Sequence, residues 1–516
     1  MAIDPTSPLT LRGLEDHLWR SADLFRNKIS NQKDYVLALL FFKRASDRHR
    51  EETASALEEL AGQGVPGEAA AKVIEANPKA YHSILIPEDH FWEDVRNTDR
   101  DGLGRALNDA LTAIGRANPA QLAGVFEHTD FNNKTALPAE DLAEVINHFE
   151  ELGPLTNERV TPDMLGQGYE WLIAKFAATS GKGGGEFYTP AAVGKLGAKL
   201  LAPNPGETVY DPTCGSGGLL LQVVDEARRV HGDAARSLTL FGQELNPETW
   251  AIARMNMLLH GAAGVATIER GDTLKEPRFL DGDGIRRFDV IIANPPFSPK
   301  NWGHERLKNE GDPFDRIKHV PPKSHGEMAF VQHMVASLAD GGRMAVVLPN
   351  GVFFRAGAEQ VVRRDLIDED LVEAVVQLPG DMFYGAGIPA CFLIVNKAKS
   401  RERSDKVLFI DASDRFERRE TKNVLRGEDI DEIAAAFAST EDERGFSAWI
   451  PTAEIAARRY NLTVRRFVTG KDDANGGVVS FEDALDAYRE ARAAREVAQA
   501  AADVVLAALA EGHSEQ

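Results

Sequence analysis

Residues 209–221 constrain this chain most: Val-Tyr-Asp-Pro-Thr-Cys-Gly-Ser-Gly-Gly-Leu-Leu-Leu. An apolar approach ends in an acid, a glycine-rich turn follows, and the chain resumes as a run of helical character. This is strand, loop, helix, the edge at which α/β sheets hold nucleotide-like ligands. Gly215, Gly217 and Gly218 let backbone approach a ligand closely and permit positive φ. The helix start that follows offers unpaired N–H groups. The spacing does not fit a G-x-G-x-x-G dinucleotide loop, and no Gly-Lys-Ser/Thr marks a phosphate loop.

A second stretch, residues 288–297, reads Phe-Asp-Val-Ile-Ile-Ala-Asn-Pro-Pro-Phe. It is predicted as a buried strand ending in a rigid tip of polar residue, two prolines and an aromatic. Further strands are predicted over 238–244, 266–272, 344–348, 371–378, 391–396 and, as the last, 407–411. Helices are predicted between them, for example after Leu245-Asn-Pro and over 330–338. The alternation predicts an α/β fold with a doubly wound, mostly parallel sheet. Residues 298–326 are polar, with four prolines and several charges, and read as a long structureless loop of the kind that is usually functional.

Residues 1–160 are predicted as an N-terminal helical domain with a core of its own. Leu11, Leu14, Leu18, Ala22 and Phe25 recur at helical spacing, and Val36, Leu39 and Leu40 begin another helix. A helix over 166–176 leads into Gly181-Lys-Gly-Gly-Gly-Glu-Phe-Tyr-Thr-Pro190, read as a loop that closes over a ligand. Thr189 as N-cap and Pro190 at the first helical position start the next helix. Residues 161–420 are assigned to the sheet domain. Residues 421–516 are assigned to a C-terminal helical region, in which an arm beginning at Ser480 with a capping-box pattern is a candidate for docking another subunit.

At 516 residues, length alone suggests about three domains. No run of about 18 apolar residues and no signal peptide is present, so neither membrane insertion nor export is expected. Two cysteines, Cys214 and Cys391, far apart and without ligand-type neighbours, argue against a disulfide framework or a zinc site. A reducing cytoplasm is the expected setting. The net charge of −21 is unusual for a chain that grips nucleic acid alone. A partner is expected to supply most phosphate contacts.

Asp211-Pro-Thr-Cys-Gly-Ser-Gly217 and Asn294-Pro-Pro-Phe297, taken together, resemble the S-adenosyl-L-methionine (AdoMet) loop and the catalytic motif of amino-methyltransferases. Residues 18–28 and 34–43 look like the N-terminal helical domain of type I restriction–modification modification subunits. Gly185-Glu-Phe-Tyr-Thr-Pro190 resembles that family's methionine-end motif, and residues 348–355 and 385–391 also look like the family. The chain is therefore identified as similar to the DNA adenine-N6 methylating subunit of a type I system. The resemblance implies a Rossmann-like AdoMet-dependent methyltransferase domain, with AdoMet as cofactor and no metal. It implies cofactor contacts from Glu186, Phe187, Tyr188, Thr189, Pro190, Asp211, Thr213, Cys214, Gly215, Ser216, Gly217 and Asn294. Glu244, at the tip of the second strand, is placed to accept from the ribose hydroxyls, and Asp272 to read the cofactor's adenine amino group. Cys214 reads as a small packing residue rather than a nucleophile.

Asn294, Pro295, Pro296 and Phe297 carry the expected catalysis. Adenine N6 is a poor nucleophile because its lone pair is delocalised into the ring. The Asn294 side-chain oxygen and the Pro295 carbonyl would localise that lone pair, two prolines would hold the geometry because φ is fixed at both, and Phe297 would stack on the base. A base in a duplex must first be flipped out, at a cost of a few kcal/mol. Implied partners are DNA, a specificity subunit that chooses the target, a restriction subunit that cleaves, and a second copy of this chain per specificity subunit. Two alternatives stay open at this point: a protein-glutamine or RNA amino-methyltransferase, and a non-catalytic AdoMet-binding scaffold.

Overall fold

The computed structural model describes residues 7–26, 28–29, 31–179, 189–383, 389–419 and 422–468. The sheet has nine strands: β1 (Thr208–Asp211), β2 (Thr239–Glu244), β3 (Ala266–Arg270), β4 (Phe288–Ala293), β5 (Leu338–Pro349), β6 (Val372–Gln377), β7 (Ala390–Asn396), β8 (Lys406–Asp411) and β9 (Ser447–Pro451). Their order across the sheet is β9-β8-β6-β7-β5-β4-β1-β2-β3. Pairing is parallel except where β7 enters between β5 and β6 and where β9 pairs with β8.

Alternation along each strand divides the core in two. On β4, Val290 and Ile292 face one apolar cluster while Ile291 and Ala293 face the other. The first cluster does not stop at the sheet. It continues through helices α1 (Leu11–Leu24), α2 (Gln32–Gly62), α3 (Pro162–Thr179), α4 (Ala191–Leu201), α5 (Gly218–His231) and α6 (Pro247–Leu259). The expectation that the N-terminal helices have a separate core is therefore not met. α3 packs on α1 and α2 and also on α6, so it joins the bundle to the sheet. Such close approach needs glycine: a Cβ on Gly168 would lie 2.6 Å from Leu14, and one on Gly166 would fall 1.8 Å from the His260 ring.

Three other expectations change. Residues 298–326 are not structureless. They contain the helix His304–Glu310 and bury Trp302, Leu307 and Ile317. Arg316, fully buried, forks onto Asp312 at 2.7 and 2.9 Å and donates to the carbonyls of Thr273 and Leu274. The polar composition of this segment hides an internally paired ion pair. Second, β8 is not the last strand, because β9 extends the same sheet beyond residue 420; the sheet domain passes the expected boundary at 420/421. Third, the helix after Pro190 begins at Ala191 with Pro190 as N-cap, so Thr189 does not cap it. Residues 180–188, 385–388 and the C-terminal arm from Ser480 lie outside the described residues.

Removing one partner of a buried ion pair strands the other charge, at about 3–5 kcal/mol. Arg316→Met is expected to lower the unfolding free energy by about that amount, read from urea melts of the full chain. A loss under about 1 kcal/mol would mean that Asp312 finds water in place of the guanidinium.

Candidate active site

The strand order reverses at β1: β2 and β3 lie to one side, β4 and β5 to the other. Connections that diverge at such a point leave a crevice beyond the carboxyl ends of the strands. Asp211 ends β1, Glu244 ends β2, and Asn294 directly follows β4, so all three tips reach the same crevice. A cavity of about 440 Å³ lies there.

Two glycines make the loop between β1 and α5 possible. Gly215 has φ of 53° and Gly217 of 81°, a region costly for side chains. Gly218 has no positive φ; its lack of a side chain makes room for the Glu170 carboxylate, which a Cβ there would meet at 3.2 Å. The Gly215 N–H donates to Glu244 Oε2 at 3.0 Å, and the Asn246 N–H to Oε1 at 2.7 Å. Asp211 is sealed, with Oδ1 accepting from the Thr213 N–H at 2.9 Å. Burial pushes its pKa up to about 8, opposed by the Thr213 N–H and reinforced by Glu244. Burial also raises the pKa of Glu244.

Asn294 Nδ2 donates to Thr189 Oγ1 at 3.0 Å, which fixes the amide plane. Its Oδ1 is buried and accepts from nothing among the described residues, as is the case for Asp211 Oδ2, Thr213 Oγ1 and Gln222 Oε1. Asp272 accepts at Oδ1 from the N–H groups of Leu274 and Lys275, and its Oδ2 lies 2.8 Å from Lys275 Nζ. It thus caps a turn as well as facing the cavity. The Cys214 thiol is buried and pushed well above its usual pKa, first by burial and then by Asp211 and Glu244, so it stays protonated and packs.

Of the residues expected from sequence, Thr189, Pro190, Asp211, Thr213, Cys214, Gly215, Ser216, Glu244, Asp272, Asn294, Pro296 and Phe297 line the cavity. Gly217 shapes the loop from behind, against Met257. Pro295 is buried at the tip, and Phe297 meets Phe383 edge-on at 6.1 Å. Glu186, Phe187 and Tyr188 lie outside the described residues. Sequence reasoning missed Glu170, Leu245, Gln222, Lys300 and Phe330, which also line the cavity. Leu245 was within reach of that reasoning: an apolar residue directly after a strand-tip acid, 63% exposed here. Away from the cavity, His17, His148 and Glu151 come together in the bundle, but the two rings stack face to face at 3.7 Å, a packing arrangement.

The lining suits AdoMet. Strand-tip carboxylates can meet hydroxyl and amino groups, Leu245 offers an apolar surface for an adenine ring, and the buried acceptors without partners await donors. Fold and cavity together define a Rossmann-like AdoMet-dependent methyltransferase. Comparison with known proteins narrows this. The N-6 DNA methylase family profile matches residues 160–475, and the HsdM N-terminal domain profile matches residues 14–149. The chain is 32% identical over 467 residues to the type I restriction enzyme MjaVIII methylase subunit of Methanocaldococcus jannaschii, covering 88% of this chain and 77% of that one. It is 32% identical over 394 residues to the HindI methylase subunit of Haemophilus influenzae, covering 73% and 85%. The crystal structure of a type I methyltransferase subunit from Streptococcus thermophilus superposes with a TM-score of 0.78 at 32% identity, covering 89% of this chain and all of that one. The chain belongs to the N-6 DNA methylases and, within them, to the modification subunits of type I restriction–modification systems. It is an adenine-specific DNA methyltransferase, and its cofactor is AdoMet.

Proposed function

We propose that this chain methylates N6 of an adenine flipped out of duplex DNA, at sites chosen by a specificity subunit. The observation that carries the reading is Asn294 Oδ1, a buried acceptor without a partner, held at the cavity wall by the bond from Nδ2 to Thr189. With its N–H face engaged, the amide presents its oxygen, and an amino hydrogen of the target would satisfy it. The Pro295 carbonyl takes the second hydrogen, and the two prolines keep both acceptors in one plane. Bound AdoMet supplies a methyl already activated on a sulfonium, so the task left to the chain is alignment and charge withdrawal from N6. Phe297 gives the base a face to stack on, its ring already steadied by Phe383.

For the cofactor, we assign Glu244 to the ribose hydroxyls, Leu245 and Asp272 to the adenine, and Asp211 with the loop Thr213–Gly217 to the remainder. Thr189 and Pro190, with Glu186, Phe187 and Tyr188, are assigned to the methionine end. The net charge of −21 supports a division of labour in which partner subunits hold the DNA backbone. Two copies of this chain serve one specificity subunit, and a restriction subunit supplies cleavage. The C-terminal region, with its arm from Ser480, is assigned to subunit docking. Among the described residues no helix is long and apolar enough to cross a membrane, and both cysteines are free; we place the complex in the cytoplasm with its DNA.

The test uses purified chain, with and without a co-expressed specificity subunit, tritiated AdoMet and genomic DNA from a strain lacking the system. Label is expected in N6-methyladenine only when the partner is present. Label in DNA without the partner would show that this chain reads sequence itself, and label in protein or RNA would replace the substrate assignment.

A further inference from the structure

We infer that Glu170, on the helix that joins the N-terminal bundle to the sheet, receives the α-ammonium group of the cofactor, so that the bundle supplies part of the cofactor site. The inference rests on the AdoMet reading of the cavity and adds a residue to it that comes from a helix of the bundle rather than from a strand tip.

Position comes first. Glu170 lines the cavity, yet it belongs to α3, a helix otherwise devoted to packing. Its neighbour Tyr169 is fully buried and donates through its hydroxyl to the Ile252 carbonyl on α6 at 3.2 Å. Gly166 and Gly168 press the same helix against His260 and Leu14. The backbone beneath Glu170 is therefore clamped on two sides, and its carboxylate is delivered to a fixed place.

That place is the start of α5. A Cβ on Gly218 would lie 3.2 Å from Glu170 Oε1 and 3.9 Å from Ser216 Oγ. Gly194, Leu219 and Gln222 border the same end of the cavity, and a Cβ on Gly194 would touch both of the latter. Glu244, Leu245 and Asp272, at the tips of β2 and β3, serve the nucleoside. The start of α5 and the nearby Thr189 and Pro190 are left for the amino-acid end, which carries one carboxylate and one ammonium. A helix start suits the carboxylate, and an acid beside it suits the ammonium.

The charge around Glu170 is unbalanced in the right sense. Among the described residues no lysine or arginine forms an ion pair with it; Lys195 on α4 acts only at longer range, and Asp225 on α5 adds a second negative charge. Asn256 on α6, whose Nδ2 donates to the Ser216 carbonyl at 3.0 Å, lies close enough to favour the charged form slightly. Burial, reinforced by Asp225, pushes its pKa up to about 7, against Asn256 and Lys195. A half-covered acid kept this close to neutral lacks a cation, and the ammonium of the bound cofactor would supply it. A structural role is the competing account: Glu170 would merely cap the first turn of α5.

Two ligands separate these accounts. S-Adenosylhomocysteine carries the ammonium; 5′-deoxy-5′-methylthioadenosine keeps the adenosine thioether and lacks the amino-acid end. Calorimetry on the full chain is expected to show that Glu170→Gln weakens the first about 10- to 100-fold, as for loss of a charge-assisted bond. The second should change less than about 3-fold, since it makes no such bond. Glutamine keeps the shape of the side chain and removes its charge. A parallel loss for both ligands would assign Glu170 to capping and overturn the inference, as would no change for either. Selective loss in Asp211→Asn but not in Glu170→Gln would move the ammonium to Asp211. If the wild-type chain binds neither ligand, the AdoMet reading itself fails.

Discussion

Asn294→Ala is expected to lower the single-turnover rate of methyl transfer about 100- to 1,000-fold, the range seen when one preorganised hydrogen-bonding group is removed from a reacting centre. The side chain meets two demands at once. Its Nδ2 is tied to Thr189 Oγ1 at 3.0 Å, and its Oδ1 is held buried without a partner. Alanine deletes the acceptor that would withdraw charge from N6 and leaves the Pro295 carbonyl to act alone. Cofactor affinity should change little, within about 3-fold, because Glu244, the glycine loop and Asp211 are untouched. Calorimetry with S-adenosylhomocysteine beside single-turnover labelling of DNA reads the two quantities separately. A variant that still methylates at near the wild-type rate would remove Asn294 from the catalytic group. Equal losses of affinity and rate would make it a cofactor ligand instead. Thr189→Val gives an intermediate case: the acceptor stays but its orientation loosens, so the rate should fall less than in Asn294→Ala while affinity holds.

Much of this site was legible in the sequence because its signals are local. Asp211, Glu244 and Asn294 each close an apolar run and stand before a proline, a glycine turn or a helix start, and a strand tip in an open α/β sheet is where ligands bind. What joins these tips to the rest of the chain was not legible. Thr189 reads as a helix cap by its place before Pro190, but its hydroxyl is spent on Asn294, 105 residues away. Glu170 shows only as an acid in an apolar helix; its reach into the cavity depends on how α3 packs against α6. Amphipathic spacing located α1 and α2 but could not say what their apolar faces cover, and they cover the same core as the sheet. In residues 298–326 composition misled, since prolines and charges there surround a buried tryptophan and a buried ion pair. β9 escaped notice because five residues on a sheet edge, ending in proline, carry little alternation.

Gly215→Asp is expected to weaken AdoMet binding on the order of 100-fold or more, through two separable costs. The first is conformational. Gly215 sits at φ of 53°, where a side chain costs roughly 1–2 kcal/mol. Gly215→Ala isolates that cost and should weaken binding about 5- to 30-fold. The second is electrostatic. The Gly215 N–H donates to Glu244 Oε2, burial raises the pKa of both Asp211 and Glu244, and Glu244 pushes Asp211 up further. A third carboxylate on the same loop would force protons onto this group or push the loop away from Glu244, and either change spoils the surface meant for the ribose. The aspartate variant should therefore lose clearly more affinity than the alanine variant, and part of that excess should return as pH falls and the added carboxylate is neutralised. Calorimetry of both variants at two pH values decides it. Equal losses in the two variants would mean that backbone strain alone governs the loop. Unchanged affinity in both would remove this loop from the cofactor site.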